Sequence, residues 1–134
     1  MSIDPNLSLQ GAQDKMHAAV NSYRDGLFGN YFTWNGNPWN CDDVSRQNII
    51  GMIVMAMLNG GQLPPGTLFR DYNNVNHVIT GPDIIQMGIT MLAFLSGVYQ
   101  ASWVHKANIE QLTDPIATQE YDYMSTLWPD PNVI

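Results

Sequence analysis

The chain has 134 residues, of which 45% are hydrophobic and only 13% are charged, and its formal net charge is −7. This length predicts one domain that buries a hydrophobic core of its own. Phosphate contacts need clustered lysine and arginine, and the five basic residues are scattered, so the composition excludes a nucleic-acid-binding protein. A charged fraction of about half the usual share indicates a surface that contacts other proteins, although a neutral surface rich in amides and hydroxyls would give the same value.

The side chains that commonly carry chemistry are few and separated. Cys41 is the only cysteine, which excludes an internal disulfide and a zinc site of four cysteines. His17, His77 and His105 lie on three different predicted elements and lack the spacing of metal ligands. We therefore predict no catalytic residues, no metal or cofactor, and a protein that is not an enzyme. Residues 1–10 lack the basic start and apolar run of a signal peptide, so we expect none.

The first third of the chain predicts an arm, a helix and a β-hairpin. Residues 1–9 form the arm, because a proline in its middle disfavours helix. From residue 10 to about residue 25, apolar side chains recur at helical spacing. The strand-forming residues 31–34 and the turn pair Asn35-Gly36 then predict a hairpin, whose return strand is expected at residues 39–41.

A second helix is predicted to begin among the potential capping residues Asp42, Asp43 and Ser45. It ends after Leu58, where two consecutive glycines follow Asn59. The apolar pattern predicts an inward face that comprises Ile49, Ile50, Ile53, Met57 and Leu58.

A second hairpin is predicted at residues 68–80, followed by a long helix that extends to about residue 111. Residues 84–104 of this helix carry no charge and are long enough to span a bilayer. Polar side chains and glycines interrupt this run, so a buried helix is the better interpretation and no membrane span is predicted. Ala93, Gly97 and Ala101 form a stripe of small residues that permits close helix approach, either between subunits or against the helix at 45–58.

These patterns predict a helix-rich α+β fold with two units, each a β-hairpin followed by a helix, an N-terminal helix and extended terminal arms. The predicted organisation is an arm at 1–9, a single compact domain at 10–112 and an extended C-terminal arm at 113–134, where prolines alternate with aromatic residues. Large aromatic side chains are common in protein interfaces. Besides the small-residue stripe, the predicted contact residues are Trp34, Trp39, Tyr121, Tyr123 and Trp128.

The order of motifs in the first half of the chain is specific: Asn35-Gly36, Cys41-Asp42-Asp43, Ser45-Arg46 and Ile49-Ile50-Gly51. Together with the following hairpin and long helix, it resembles an uncharacterised domain of phage tail-fibre and tail-assembly proteins over approximately residues 15–112. The resemblance implies no catalytic residues. It implies a structural component of the bacteriophage virion, associated with the tail or tail fibre and made in the host bacterial cytoplasm.

The partners expected from this resemblance are other phage tail or fibre proteins and further copies of the same chain, as a homo-oligomer. Two alternatives stay open at this point. One is a tail-fibre assembly chaperone that does not remain in the virion, and the other is a membrane-acting phage lysis protein that uses residues 84–104.

Overall fold

The computed structural model describes residues 2–132, and four helices and four strands lie within that range. The helices are α1 (Leu9–Phe28), α2 (Asp43–Leu58), α3 (Gly81–Glu110) and α4 (Pro115–Gln119). The strands are β1 (Tyr31–Trp34), β2 (Asn37–Asn40), β3 (Leu68–Arg70) and β4 (Asn76–Val78). This arrangement confirms the predicted helix-rich α+β fold with two hairpins that each precede a helix. Met1, Val133 and Ile134, which belong to the predicted arms, lie outside the described residues.

The chain divides into two compact units. The first comprises the described residues up to Gly26 together with Gly97–Pro129, and the second comprises Leu27–Ser96 with the described residues from Asp130 onwards. The sequence predicted one compact domain between two arms. In the structure, the segment after α3 contains α4, and its aromatic side chains pack within the first unit.

Gln119, which is almost fully buried, joins α4 to the N-terminal segment within the first unit. Its Oε1 accepts a hydrogen bond from the backbone N–H of Asp4 at 2.8 Å, and its Nε2–H donates to the Asp4 carbonyl at 2.8 Å. The ammonium group of Lys15 donates to the same Oε1 at 2.9 Å. These contacts anchor the start of the chain within its own unit.

Both hairpins are antiparallel and belong to the second unit. In the first, Asn35 and Gly36 have φ angles of 52° and 75°, the left-handed conformation that a two-residue hairpin turn requires. The return strand is Asn37–Asn40, slightly earlier than the predicted 39–41, because pairing continues up to the turn. Its register places Phe32 opposite Trp39, and both side chains are fully buried.

Helix α2 packs on α3 at Gly88, where α3 has no side chain. A Cβ atom at Gly88 would lie 2.4 Å from Ile53 Cδ1 and 3.8 Å from Ile49 Cγ2. Ile49 and Ile53 therefore face inward, as the apolar pattern predicts. The prediction is wrong for three further residues, which are 49%, 69% and 84% exposed, respectively: Ile50, Met57 and Leu58.

Helix α3 begins with a reciprocal capping box. The Thr80 backbone N–H donates to Asp83 Oδ2 at 3.0 Å, and the Asp83 N–H donates to Thr80 Oγ1 at 3.2 Å. At the next residue, a Cβ atom on Gly81 would lie 2.0 Å from the carbonyl oxygen of Gly61. The length and apolar composition of α3 would also suffice to cross a membrane, a property that core helices of soluble proteins share.

We expect Gly81→Ala to lower the free energy of unfolding by about 2 kcal/mol, because the added methyl group meets a backbone oxygen that cannot rotate away. Gly26→Ala is the matched control. Its Cβ atom enters open space on α1, and replacing a helical glycine there should stabilise the protein by up to about 1 kcal/mol. Urea denaturation measures both changes. If Gly81→Ala has the same free energy of unfolding as the wild type, the close approach to Gly61 is contradicted.

Candidate functional site

The two predicted contact residues of the first hairpin, Trp34 and Trp39, have different environments. Trp39 is 1% exposed, and its Nε1–H donates to the Trp34 carbonyl at 2.9 Å. The centroid of the Trp39 ring lies 5.7 Å from that of Phe69 and 4.9 Å from that of His77. Trp39 therefore fills the core of the second unit, whereas Trp34 is half-buried and remains partly accessible.

The buried carboxylate of Asp71 organises the loop between β3 and β4. It accepts hydrogen bonds from the backbone N–H groups of Asn73 and Val75 at 2.8 and 3.0 Å, and its Oδ2 lies 2.8 Å from His77 Nε2. Burial alone raises the pKa of the Asp71 carboxyl. The hydrogen bonds from His77, Val75 and Asn73 outweigh burial, so the pKa lies below its ordinary value.

Cys41 is fully buried, and its thiol donates to the carbonyl oxygen of Phe28 at 3.2 Å. Burial raises the pKa of the Cys41 thiol to about 11, while nearby Arg46 lowers it and Asp42 raises it. The thiol is therefore protonated at neutral pH and serves as a hydrogen-bond donor rather than a nucleophile. Among residues 2–132, no three His, Cys, Asp or Glu side chains form a group that could hold a metal ion.

The aromatic residues predicted as contacts of a C-terminal arm lie against the core of the first unit. That core cluster consists of three fully buried residues: Met16, Val20 and Ile109. Three partly buried aromatic residues pack against it: Tyr121, Tyr123 and Trp128. The ring of Tyr23 meets the last two edge-on, with centroid distances of 6.0 and 5.0 Å.

His105, a fully buried residue of α3, fixes these aromatic residues in place. Its Nε2–H donates to the Thr126 carbonyl at 2.9 Å, because a carbonyl can only accept, and its Nδ1 lies 2.8 Å from the Tyr121 hydroxyl, from which it accepts in the neutral imidazole. The imidazole also stacks on Trp128 at a centroid distance of 5.2 Å. Tyr121 and Trp128 therefore hold the first unit together.

The small residues Ala93, Gly97 and Ala101 do not share one environment. Ala93 is exposed in the second unit, whereas Ala101 is buried in the first. A Cβ atom at Gly97 would lie 2.8 Å from Cγ of Pro129. Gly97 and Ala101 line a shallow cavity of about 300 Å³ with Leu127 and Pro129, so these two small residues accommodate the C-terminal segment of their own chain.

An exposed apolar surface covers the side of α2 that faces away from α3. It consists of six large side chains, which together are termed the α2 face: Val44, Ile50, Val54, Met55, Met57 and Leu58. No charged residue occurs between Gln47 and Leu58. Each large apolar side chain gains on the order of 1.5–3 kcal/mol when it is transferred fully from water to a protein interior, so this face favours burial against a partner.

Sequence reasoning missed the α2 face because it assigned three of these residues to the core. A helix that is apolar on all sides is normally buried on all sides. Helix α2 is buried on one side only, the side that carries Ile49 and Ala56. The signal that points to the face is the uncharged run 47–58, in which apolar residues occur around the whole circumference of the helix. The α2 face is therefore the candidate functional site.

A family model described as a domain of unknown function, DUF4376, matches residues 11–125. The match covers most of the chain, and the protein therefore belongs to this family. It extends from α1 through α4, and thus includes the whole α2 face, Tyr121 and Tyr123. No curated protein and no solved structure matches the chain.

We expect Asp71→Asn to lower the free energy of unfolding at pH 7 by about 1–2 kcal/mol, because it weakens the hydrogen bonds that close the loop. The folded-state pKa of Asp71 is lowered, so its contribution is present above the ordinary carboxyl pKa of 3.8 and is lost as the pH falls below it. Wild-type stability should therefore fall more steeply than that of the variant between about pH 4 and pH 2.

The matched control is Asp14→Asn, which removes the same charge from an exposed position on α1. Urea denaturation across this pH range should give the control the acid dependence of the wild type. An acid dependence of Asp71→Asn equal to that of the wild type would contradict the role assigned to the Asp71 carboxylate.

We expect Trp128→Ala to lower the free energy of unfolding by about 2–3 kcal/mol, because it removes a half-buried ring that packs on His105 and Tyr23. Trp103→Ala is the control, since Trp103 is 60% exposed on α3, and its loss should change stability by no more than about 0.5 kcal/mol. Thermal denaturation compares the two variants. Equal losses would show that Trp128 does not contribute to the core of the first unit.

Proposed function

We propose that this member of the DUF4376 family is a structural component of the bacteriophage virion, associated with the tail or tail fibre, that works by protein–protein assembly. The observation that carries the proposal is the α2 face, with six exposed large apolar side chains on a helix that has no charge over residues 47–58. The phage setting rests on the resemblance of the motifs between Asn35 and Gly51 to those of tail proteins.

The composition of the α2 face suits an interface between subunits. Interface cores are depleted in charged residues and enriched in methionine, and the α2 face contains Met55 and Met57 but no charged side chain. Two copies of an uncharged face can meet without repulsion between like charges, which is compatible with the self-complementary contact of a homo-oligomer. We therefore propose that neighbouring subunits, identical or from other tail proteins, bury the α2 face.

The ends of the chain are less suitable for testing this assembly. Removal of residues 114–134 would delete α4 and the aromatic residues that pack in the first unit, so the loss of incorporation could follow from unfolding alone. Single substitutions on the α2 face avoid this difficulty, because the side chains concerned are exposed and contribute little to the fold.

The first measurement is the copy number of the chain in purified particles, by quantitative mass spectrometry against known tail proteins. We expect a fixed copy number for the wild type. We expect Val54→Glu to be incorporated at least about 10-fold less, because a buried unpaired carboxylate opposes association.

Val75→Glu is the matched control. Val54 and Val75 are 48% and 52% exposed, and Val75 lies in the β3–β4 loop, outside the α2 face. Both variants should unfold at the temperature of the wild type within a few degrees. Incorporation of Val54→Glu at the level of Val75→Glu would contradict the role of the α2 face.

A second candidate function is a tail-fibre assembly chaperone. The observation that favours it is the pair of exposed methionines on the α2 face, Met55 and Met57, since flexible methionine side chains adapt to several partners. A chaperone leaves before the particle is complete. Abundance of the chain in infected cells, with absence from purified particles, would therefore select this second function.

A further inference from the structure

A small cleft opens in the second unit, and none of its lining residues belongs to the α2 face. Its volume is about 320 Å³, which lies within the usual range for small-molecule sites. The six polar and aromatic residues that line it are together termed the Tyr–Asn cleft: Tyr31, Thr33, Asn37, Tyr72, Asn73 and Asn132. All six side chains are uncharged at neutral pH.

The aromatic wall of the cleft is formed before any ligand enters. The Tyr72 backbone N–H donates to the Pro38 carbonyl at 2.9 Å, which ties the β3–β4 loop to β2. As a result, the rings of Tyr72 and Tyr31 lie 5.0 Å apart with an interplanar angle of 47°. Asp71 holds the same loop by accepting a hydrogen bond from the Asn73 backbone N–H. A ligand therefore binds without first having to order this wall.

The polar wall of the cleft is built from carboxamides. The Asn37 Nδ2–H donates to the Asn35 carbonyl at 3.2 Å, which orients the carboxamide and keeps its Oδ1 as an acceptor. Asn132 Oδ1 accepts from the Tyr31 hydroxyl, and Asn132 Nδ2–H donates to Asp130 Oδ1 at 3.1 Å. The Asn73 side chain is exposed. Each carboxamide has two N–H groups and an oxygen with two lone pairs, so the side chains that line the cleft still offer hydrogen bonds of both kinds and carry no formal charge themselves.

The combination of tyrosine rings and uncharged carboxamides restricts which ligands the cleft can bind. A phosphate or carboxylate would lose hydration in the cleft without meeting a cation. A hydroxyl group donates and accepts, as a carboxamide does, so neighbouring hydroxyls can pair with one asparagine side chain. The electron-rich face of a tyrosine ring attracts the polarised C–H groups of a sugar ring. We infer that the Tyr–Asn cleft binds a neutral saccharide of one or two pyranose units.

A proline-rich peptide is the main competitor, since aromatic-lined grooves also bind polyproline helices. The chain's own C-terminal segment borders the cleft, because the Thr33 hydroxyl donates to the Pro131 carbonyl. Recognition of polyproline depends chiefly on aromatic side chains, whereas the eight residues that line the cleft include three asparagines and only two aromatic residues. The excess of carboxamides over rings favours the saccharide.

The test is an NMR titration of the ¹⁵N-labelled full chain with the methyl glycosides of glucose, galactose and N-acetylglucosamine. We expect at least one of them to bind with a Kd on the order of 1 mM and to shift the side-chain amide signals of Asn37, Asn73 and Asn132. Tyr72→Ala should weaken that binding at least about 10-fold, because it removes half of the aromatic wall. Trp103→Ala removes an exposed ring outside the cleft and should bind as the wild type does.

Three outcomes would overturn the inference: no saturable shift with any of the three glycosides, equal affinity of Tyr72→Ala and wild type, or cleft shifts with a proline-rich peptide alone. Asn73→Ala provides a second variant in case Tyr72→Ala does not fold, since Asn73 is exposed and only its backbone N–H serves the loop.

Val54→Glu should bind the glycoside normally. Failure of the assembly proposal and failure of the saccharide site are therefore distinguishable.

Discussion

The packing of α2 on α3 at Gly88 decides which side of α2 meets solvent. Because α3 lacks a side chain there, Ile53 reaches the position that a Cβ atom would otherwise fill. That contact sets the rotation of α2 about its own axis, since residues three and four positions away, Ile49 and Ala56, must then point the same way. The α2 face is the consequence, because the helix is apolar on its other sides as well. Both the architecture of the second unit and the proposed assembly depend on this one close approach.

The same contact explains where sequence reasoning succeeded and where it failed. The turn at Asn35-Gly36 and the capping box at Thr80 and Asp83 act within four residues, so the local sequence predicts the first hairpin and the start of α3. The inward side of α2 depends instead on Gly88, which lies far along the chain. With apolar residues all around the helix, periodicity contains no information that could have separated Ile49 from Ile50.

The C-terminal segment illustrates a second limit of local patterns. Prolines among aromatic residues predict an extended arm, and most of residues 120–132 is indeed irregular. What the pattern cannot predict is the contact with His105, whose two ring nitrogens form hydrogen bonds with the Tyr121 hydroxyl and the Thr126 carbonyl. These bonds join residues 16 and 21 positions apart in the chain. A buried imidazole needs a partner for each nitrogen, so the segment is held at a defined place even without regular secondary structure.

Several charged side chains of the second unit are engaged in local contacts: Asp71 closes the β3–β4 loop, Asp83 caps α3, and Asp43 pairs with Arg46. These charges thus stabilise turns and helix ends, and the side chains that make up the α2 face and the Tyr–Asn cleft carry no charge themselves. An uncharged surface gains little from long-range electrostatic attraction, which in other complexes speeds association and rejects wrong partners. Selectivity at both surfaces must therefore come from the fit of side chains and from hydrogen bonds, and both should respond only weakly to salt.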